Sequence, residues 1–272
     1  MAAGASQGGV PARIQFVYRP YAYTVPFRSL GLFEDASTPA VVTTTGTANP
    51  TTASFSPPGG SLLVALVGGG WGTPPTRAIV TDTSNQTWYT GAIETGLTAT
   101  AGGLAMIAYA YVVSAPGSIM VTATFTGLSG GSLLAVRVLN NASPSQLGAG
   151  SGVAQQSTNS TTGTVNVTTT IAGSLVYGIS DQTNQDFAYT ANGATTIINA
   201  YLDPTDSTSL VAWKASAFTT TPGATSLGGT WATACKSNIA ALEILPVTAP
   251  ILSIIPPTVQ VISQAMERAA FF

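Results

Sequence analysis

The groups able to do chemistry in this 272-residue chain are ten carboxylates, eight Lys/Arg residues and one thiol, and histidine is absent. The carboxylates are Glu34, Asp35, Asp82, Glu94, Asp181, Asp186, Asp203, Asp206, Glu243 and Glu267. Glycosidase-type acid–base work needs two of them facing across a cleft, and nothing in their scattered spacing fixes such a pair. The absence of histidine removes the usual nucleophilic triads and zinc sites. Cys235 has no partner for an intramolecular disulfide and no histidine to lower its pKa. It reads as a small buried apolar residue.

Two local clusters suit a hard cation. DQTNQD places Asp181 near Asp186, and DPTD places Asp203 near Asp206. Calcium takes oxygen ligands of this kind. The same sequences also build turns, because Asp and Asn bond to their own neighbouring backbone. Aromatic residues offer a third possibility, a platform for a glycan. Trp71 and Trp88 lie in apparent loops with Tyr89 alongside, whereas Trp213 and Trp231 lie inside apparent strands and read as core. Residues 68–70 are glycines without the Lys-Ser/Thr of a phosphate-binding loop, so they read as an ordinary loop.

These groups are few because only 7% of the chain is charged, against about 25% in an ordinary soluble domain. Net charge is −2. No basic stripe offers itself to a phosphate backbone, so no nucleic-acid partner is expected. No run of 18 apolar residues offers a membrane span. The opening residues lack the basic and apolar regions of a signal peptide, which points to synthesis in the cytoplasm without export. No cofactor is implied.

The elements that must carry these groups are strands. SLLVALV (61–67), LAMIAYAYVV (104–113), SIMVTATF (118–125) and SLLAVRVL (132–139) are separated by Gly, Pro, Asn and Ser clusters, the spacing of a sandwich or barrel. In MVTATF, Val121, Ala123 and Phe125 alternate with Met120, Thr122 and Thr124, a core face against a hydroxyl-rich face. The stretch also recurs. SFSPPGGSLLVALVG (54–68) resembles TTTIAGSLVYGIS (168–180), TSNQTWYT (83–90) resembles QTNQDFAYT (182–190), and each half ends on an apolar strand. The expected fold is all-β: an antiparallel, jelly-roll-like sandwich over 40–246, with pseudo-repeated halves at about 40–149 and 150–246.

Both ends differ from this middle. Residues 1–39 mix arginine with aromatics (Arg13, Phe16, Tyr18, Arg19, Tyr21, Tyr23, Phe27, Arg28) and carry Pro11, Pro20 and Pro26. Arg and aromatics are enriched at protein interfaces. The segment reads as an arm on a neighbouring subunit, or as a first strand, RIQFVY, laid on its own sheet. In 247–272, Val259, Ile262, Met266 and Ala269 follow helical spacing after Pro256-Pro257. A short helix ending in Phe271-Phe272 is expected, docked on its own domain or on a partner.

The order of motifs resembles a β-sandwich family of tailed-phage virion proteins, often described as minor tail proteins. Its members carry a GSLLVA strand, a D-x-x-G-N-T-W turn, a TVTATFSG strand, an AGSLVVG strand and a closing AALEI strand. The matching stretches here run from Gly60 to Val67, Asp82 to Thr90, Val121 to Gly127, Leu133 to Ala142, Thr169 to Gly178 and Trp231 to Leu245. Ser84-Asn85-Gln86 stands where a Gly-Asn pair is usual. The resemblance implies a non-enzymatic virion component, tail-associated or decorating the capsid, whose partners are itself and other virion proteins. It supplies no ligand-binding residues. A glycan-binding module that recognises the host surface is the alternative.

Overall fold

In the computed structural model the described residues are 27–29, 31–70, 77–95, 103–128, 130–143, 152–183, 188–204 and 208–250. They hold sixteen strands and no helix. In chain order these are β1 (Phe27–Ser29), β2 (Phe33–Glu34), β3 (Val42–Thr44), β4 (Leu62–Gly69), β5 (Arg77–Asp82), β6 (Tyr89–Thr95), β7 (Leu104–Tyr111) and β8 (Val121–Thr126). They continue as β9 (Ser132–Asn140), β10 (Gly152–Thr169), β11 (Leu175–Thr183), β12 (Tyr189–Ala191), β13 (Thr195–Asp203), β14 (Thr208–Ala215), β15 (Gly223–Ile244) and β16 (Thr248–Pro250).

Two six-stranded antiparallel sheets dominate. One has the order β2-β9-β4-β7-β6 with β3 also on β9, and the other β10-β15-β11-β14-β13 with β12 also on β15. The two sheets share a strand plan. Each centres on the GSL strand (β4 or β11), flanked by the long aromatic strand (β7 or β14) and the closing apolar strand (β9 or β15). The recurrence in the sequence therefore has a counterpart in topology. A jelly roll would exchange strands between its two sheets, whereas here each main sheet draws its six strands from one half of the chain.

The apolar run of β4 follows from this stacking. Alternate side chains leave opposite faces of a strand, and both faces of β4 are covered. Leu62, Val64 and Leu66 pack with Tyr177, Ile179, Leu210 and Leu242 of the second sheet. Leu63, Ala65 and Val67 pack with Ala78, Val80, Val121 and Ala123 of the two-stranded β5–β8 layer. A strand buried on both sides loses its alternation and reads as continuous hydrophobe. By contrast β5 and β8 keep one wet face and alternate, with Val121 and Ala123 buried beside exposed Met120 and Thr124.

The second half builds its own outer layer from the same long strands. β15 pairs with β11 through Lys236–Ile244 and with β10 along much of its length. Its first part pairs with β12 through Trp231 and Gly229. Irregularities in the β10–β15 register between Ser157 and Thr162 are the bulges that let long strands bend from one layer to another. Beneath them, Val165, Leu227, Trp231 and Cys235 pack on Val211, Trp213 and Ile239.

Gly68 and Gly69 are not loop residues but the last residues of β4, and Gly70 follows directly. They are small because neighbours press close. A Cβ on Gly69 would stand 2.6 Å from the Phe125 ring, and one on Gly70 would overlap Thr208.

Arg28–Ala249 forms one compact unit, and β1 pairs β16. Leu32 is buried in the shared core, and Phe33 and Glu34 pair with Asn140 and Leu139. Arg13, Phe16, Tyr18, Arg19, Tyr21 and Tyr23 lie outside the described residues, as does the expected helix with Ile262, Met266, Phe271 and Phe272. Phe27 and Arg28 belong to β1.

Candidate functional site

Among the described residues, the ion pairs gather at one place and join the two main sheets. Short β2 holds Glu34 beside β9. Arg137 of β9 donates to Glu34 Oε2 at 2.6 Å, and Lys214 Nζ of β14 donates to Oε1 at 2.8 Å. The Tyr177 hydroxyl of β11 donates to the same Oε1 at 2.9 Å. One carboxylate thus takes three donors from both sheets. Partial burial alone would push Glu34 upward, but the bonds from Lys214, Arg137 and Tyr177 outweigh it and hold the carboxyl at about 2. Tyr177 is raised, first by its burial and then by the neighbouring Glu34 charge. Both cations are engaged by one acid, so the cluster braces the sheets and presents no free nucleophile or base.

Beside the cluster lies an open cleft of about 590 Å³, lined by Asp35, Pro39, Val41 and Arg137 on one side and Ile197, Ile198 and Lys214 on the other. Asp35 accepts hydrogen bonds from Ser37 N at 2.9 Å and Asn140 Nδ2 at 2.6 Å. The backbone N–H of Ser37 is the main cause holding its pKa below the usual carboxylate value.

Two other described acids, Asp82 and Glu243, serve the fold. Asp82 accepts from Ser84 N (2.8 Å), Gln86 N (3.1 Å) and Trp88 Nε1 (2.7 Å), which closes the turn between β5 and β6. Asn85 sits inside it with φ 60°, a conformation that Asn and Gly tolerate and most side chains resist. Trp88, a glycan candidate, has its indole N–H engaged in this turn and its ring packed against the first-half core. Trp71 lies outside the described residues. Trp213 and Trp231 are buried, and Trp213 Nε1 donates to Ser180 Oγ at 2.8 Å. Glu243 is fully buried and accepts from Thr170 N (2.8 Å) and Thr170 Oγ1 (2.9 Å).

Of the calcium candidates, the two described ones, Asp181 and Asp203, are not brought together. Neither described member sits in a turn: Asp181 lies within β11 and Asp203 closes β13, both fully buried. They share one face of the sheet, but the register through Thr183, Thr208 and Asp203 sets them two strands and two residues apart. That is about 12 Å between Cα atoms, too far for one cation to bind both. Asp186 and Asp206 lie outside the described residues. Among the described residues no group of three or more His, Cys, Asp or Glu side chains could hold a metal.

Asp181 is instead a buried acid with one partner. Asn238 Nδ2 donates to its Oδ2 at 3.0 Å, and Oδ1 finds no partner. Desolvation raises its pKa well above the ordinary value, which favours the neutral acid. A raised folded pKa contributes stability below the unfolded value near 3.9 and loses it as pH rises through the folded value. Asp181→Asn should therefore match the parent near pH 4 and melt higher at pH 8. The expected gain is about 2–4 °C, roughly 1 kcal/mol for a domain of this size, read by thermal melts at both pH values.

Cys235 is buried and bonded to nothing covalently. Burial, helped by Asp181, pushes its thiol up to about 12. In the folded protein it should stay silent to a thiol reagent at pH 8 and react fully after denaturation. Rapid labelling of the native state would contradict that placement.

Comparison with protein-family models, with curated proteins and with solved structures gives no match to this chain.

Proposed function

We propose that this chain is a structural component of a phage virion, a minor tail or capsid-decorating protein that works through contacts with copies of itself and with other virion proteins. The observation that carries the reading is the use made of charge. Glu34, Arg137 and Lys214 tie one sheet to the other, Asp82 closes a turn, Glu243 holds Thr170, and Asp181 and Asp203 are buried. Hydroxyl and amide groups dominate the outward positions of the Thr122–Thr124 and Thr161–Thr168 strands. Such a surface suits broad neutral contacts, since the centres of interfaces are depleted of charge.

The motif order supports the same reading. The position of the phage pattern's glycine is occupied here by Asn85, the residue with positive φ, so the substitution respects the turn that the pattern requires. The reading includes an antiparallel β-sandwich with extended ends and a short C-terminal helix, assembled in the host cytoplasm. It calls for no catalysis, cofactor, nucleic acid or membrane. Light scattering on the purified protein tests it: a defined multimer is expected, and a strict monomer at every concentration would contradict it.

A glycan-binding role is favoured by one observation. Tyr89 is 55% exposed and stacks on Tyr109, with ring centroids 5.5 Å apart and planes at 27°, leaving one aromatic face open to a sugar. Binding of host polysaccharide that is lost in Tyr89→Ala would establish that reading in its place.

A further inference from the structure

The two long sides of the stacked sheets are finished differently. On one side β6 packs against β10 and β15, so the sheet edges cover each other. On the other, among the described residues, β13 ends its sheet and pairs with β14 alone, and the cleft opens beside it. No charged residue and no proline occurs in β13 before Asp203. Ile197 and Leu202 are 36% and 47% exposed, and Thr196 and Ala200 are exposed as well. Natural edge strands are usually blunted by lysine, proline or a bulge. Here the device present is a bulge between Ile197 and Asn199, and among the described residues no further strand pairs along the outer edge of β13.

The charges at the cleft select the occupant. Arg137 and Lys214 are both held by Glu34, while Asp35 takes part in no ion pair among the described residues and its pKa is lowered. A strand that fits should be apolar on alternate positions and bring a cation. As a strand, residues 13–18, RIQFVY, would carry Ile14, Phe16 and Tyr18 on one side, with Arg13 at the start and Arg19 next in sequence. No acidic residue precedes Glu34 in the whole chain. Residues 247–272 carry one arginine and one glutamate and offer no such excess. The 26 residues before Phe27 reach about 85 Å when extended, enough to cross to a neighbour.

We propose that residues 13–18 of a second copy add as a strand along the β13 edge and fill the cleft beside it, with a flanking arginine on Asp35. This is strand addition, in which main-chain bonds give affinity and alternate side chains give specificity. It rests on the assembly reading above and names the surface that reading uses.

The test uses full-length chains carrying Cys235→Ala. Phe16→Cys protein is mixed with Ile197→Cys, Ala200→Cys or Leu202→Cys protein under mild oxidation, so that neighbouring registers are sampled. A disulfide-linked heterodimer with at least one edge variant is expected. In parallel, Ile197→Lys should weaken self-association at least tenfold, and Asp35→Asn by a smaller factor. Multimers that persist with no heterodimer, and without response to Ile197→Lys, would overturn the proposal and leave the assembly reading standing. A link that forms only within single chains carrying both cysteines would also overturn it, because the segment would then occupy its own edge. A protein monomeric throughout would remove the assembly reading itself.

Discussion

Gly178→Ala should cost about 3 kcal/mol or more, the upper range for overpacking a core, and lower the melting temperature by about 6–12 °C. Gly178 of β11 lies opposite Trp213 of β14, and a Cβ there would overlap the indole ring. The ring has no room to yield. It is fully buried, its N–H donates to Ser180, and Val176, Val211, Ile239 and Ala241 belong to the same core cluster. In the first half the corresponding cross-strand pair is Ala65 with Ala108. The second half replaces two small residues by one minimal and one large residue in the same plan. Combining Gly178→Ala with Trp213→Phe should therefore cost less than the two separate losses added together, the mark of direct coupling. An unchanged melting curve for Gly178→Ala would mean that the indole is not where the structure places it.

Glu34→Gln should be nearly as damaging and should also change the response to acid. Removing one partner of a buried ion pair costs about 3–5 kcal/mol. Glu34 keeps contact with solvent, its side chain 22% exposed, so screening reduces the expected loss to about 2 kcal/mol. The sign with pH follows from a carboxyl held at about 2 against a reference of 4.5. Its contribution is complete above the unfolded value and disappears as pH falls from about 4.5 toward 2. The parent should lose stability across that window, and Glu34→Gln should lose distinctly less because its share is already gone. Urea melts at pH 7, 4.5 and 3 would show the two proteins converging in acid. Parallel loss at all three values would contradict the bracing role.

How much of this could be read from residues alone depends on the distance over which each signal acts. The strand character of LLVALV and the alternation of MVTATF are local, and both are present as β4 and β8. The recurrence of GSL strands is a sequence signal that reappears as matching strand order. Burial of Trp213 and Trp231 follows from their place inside strands. The Glu34 brace had no local signal: its partners lie 103, 143 and 180 residues away, and an adjacent pair of acids after an aromatic segment looks like surface. Asp181 failed in the opposite way. Its neighbours suggested a turn or a cation, but sheet pairing with Asn238 decides its environment. The glycines at 68–70 misled similarly, because close approach by Phe125 and Thr208 leaves no trace in the adjacent residues.

The most direct test of the proposed virion role is quantitative mass spectrometry of phage particles purified from a lysate of cells that produce this chain. A place in the mature particle at fixed copy number is predicted. Hundreds of copies would identify a shell component, and a handful to dozens a tail component. Particles that are complete and infectious, with none of the chain in them, would contradict the account.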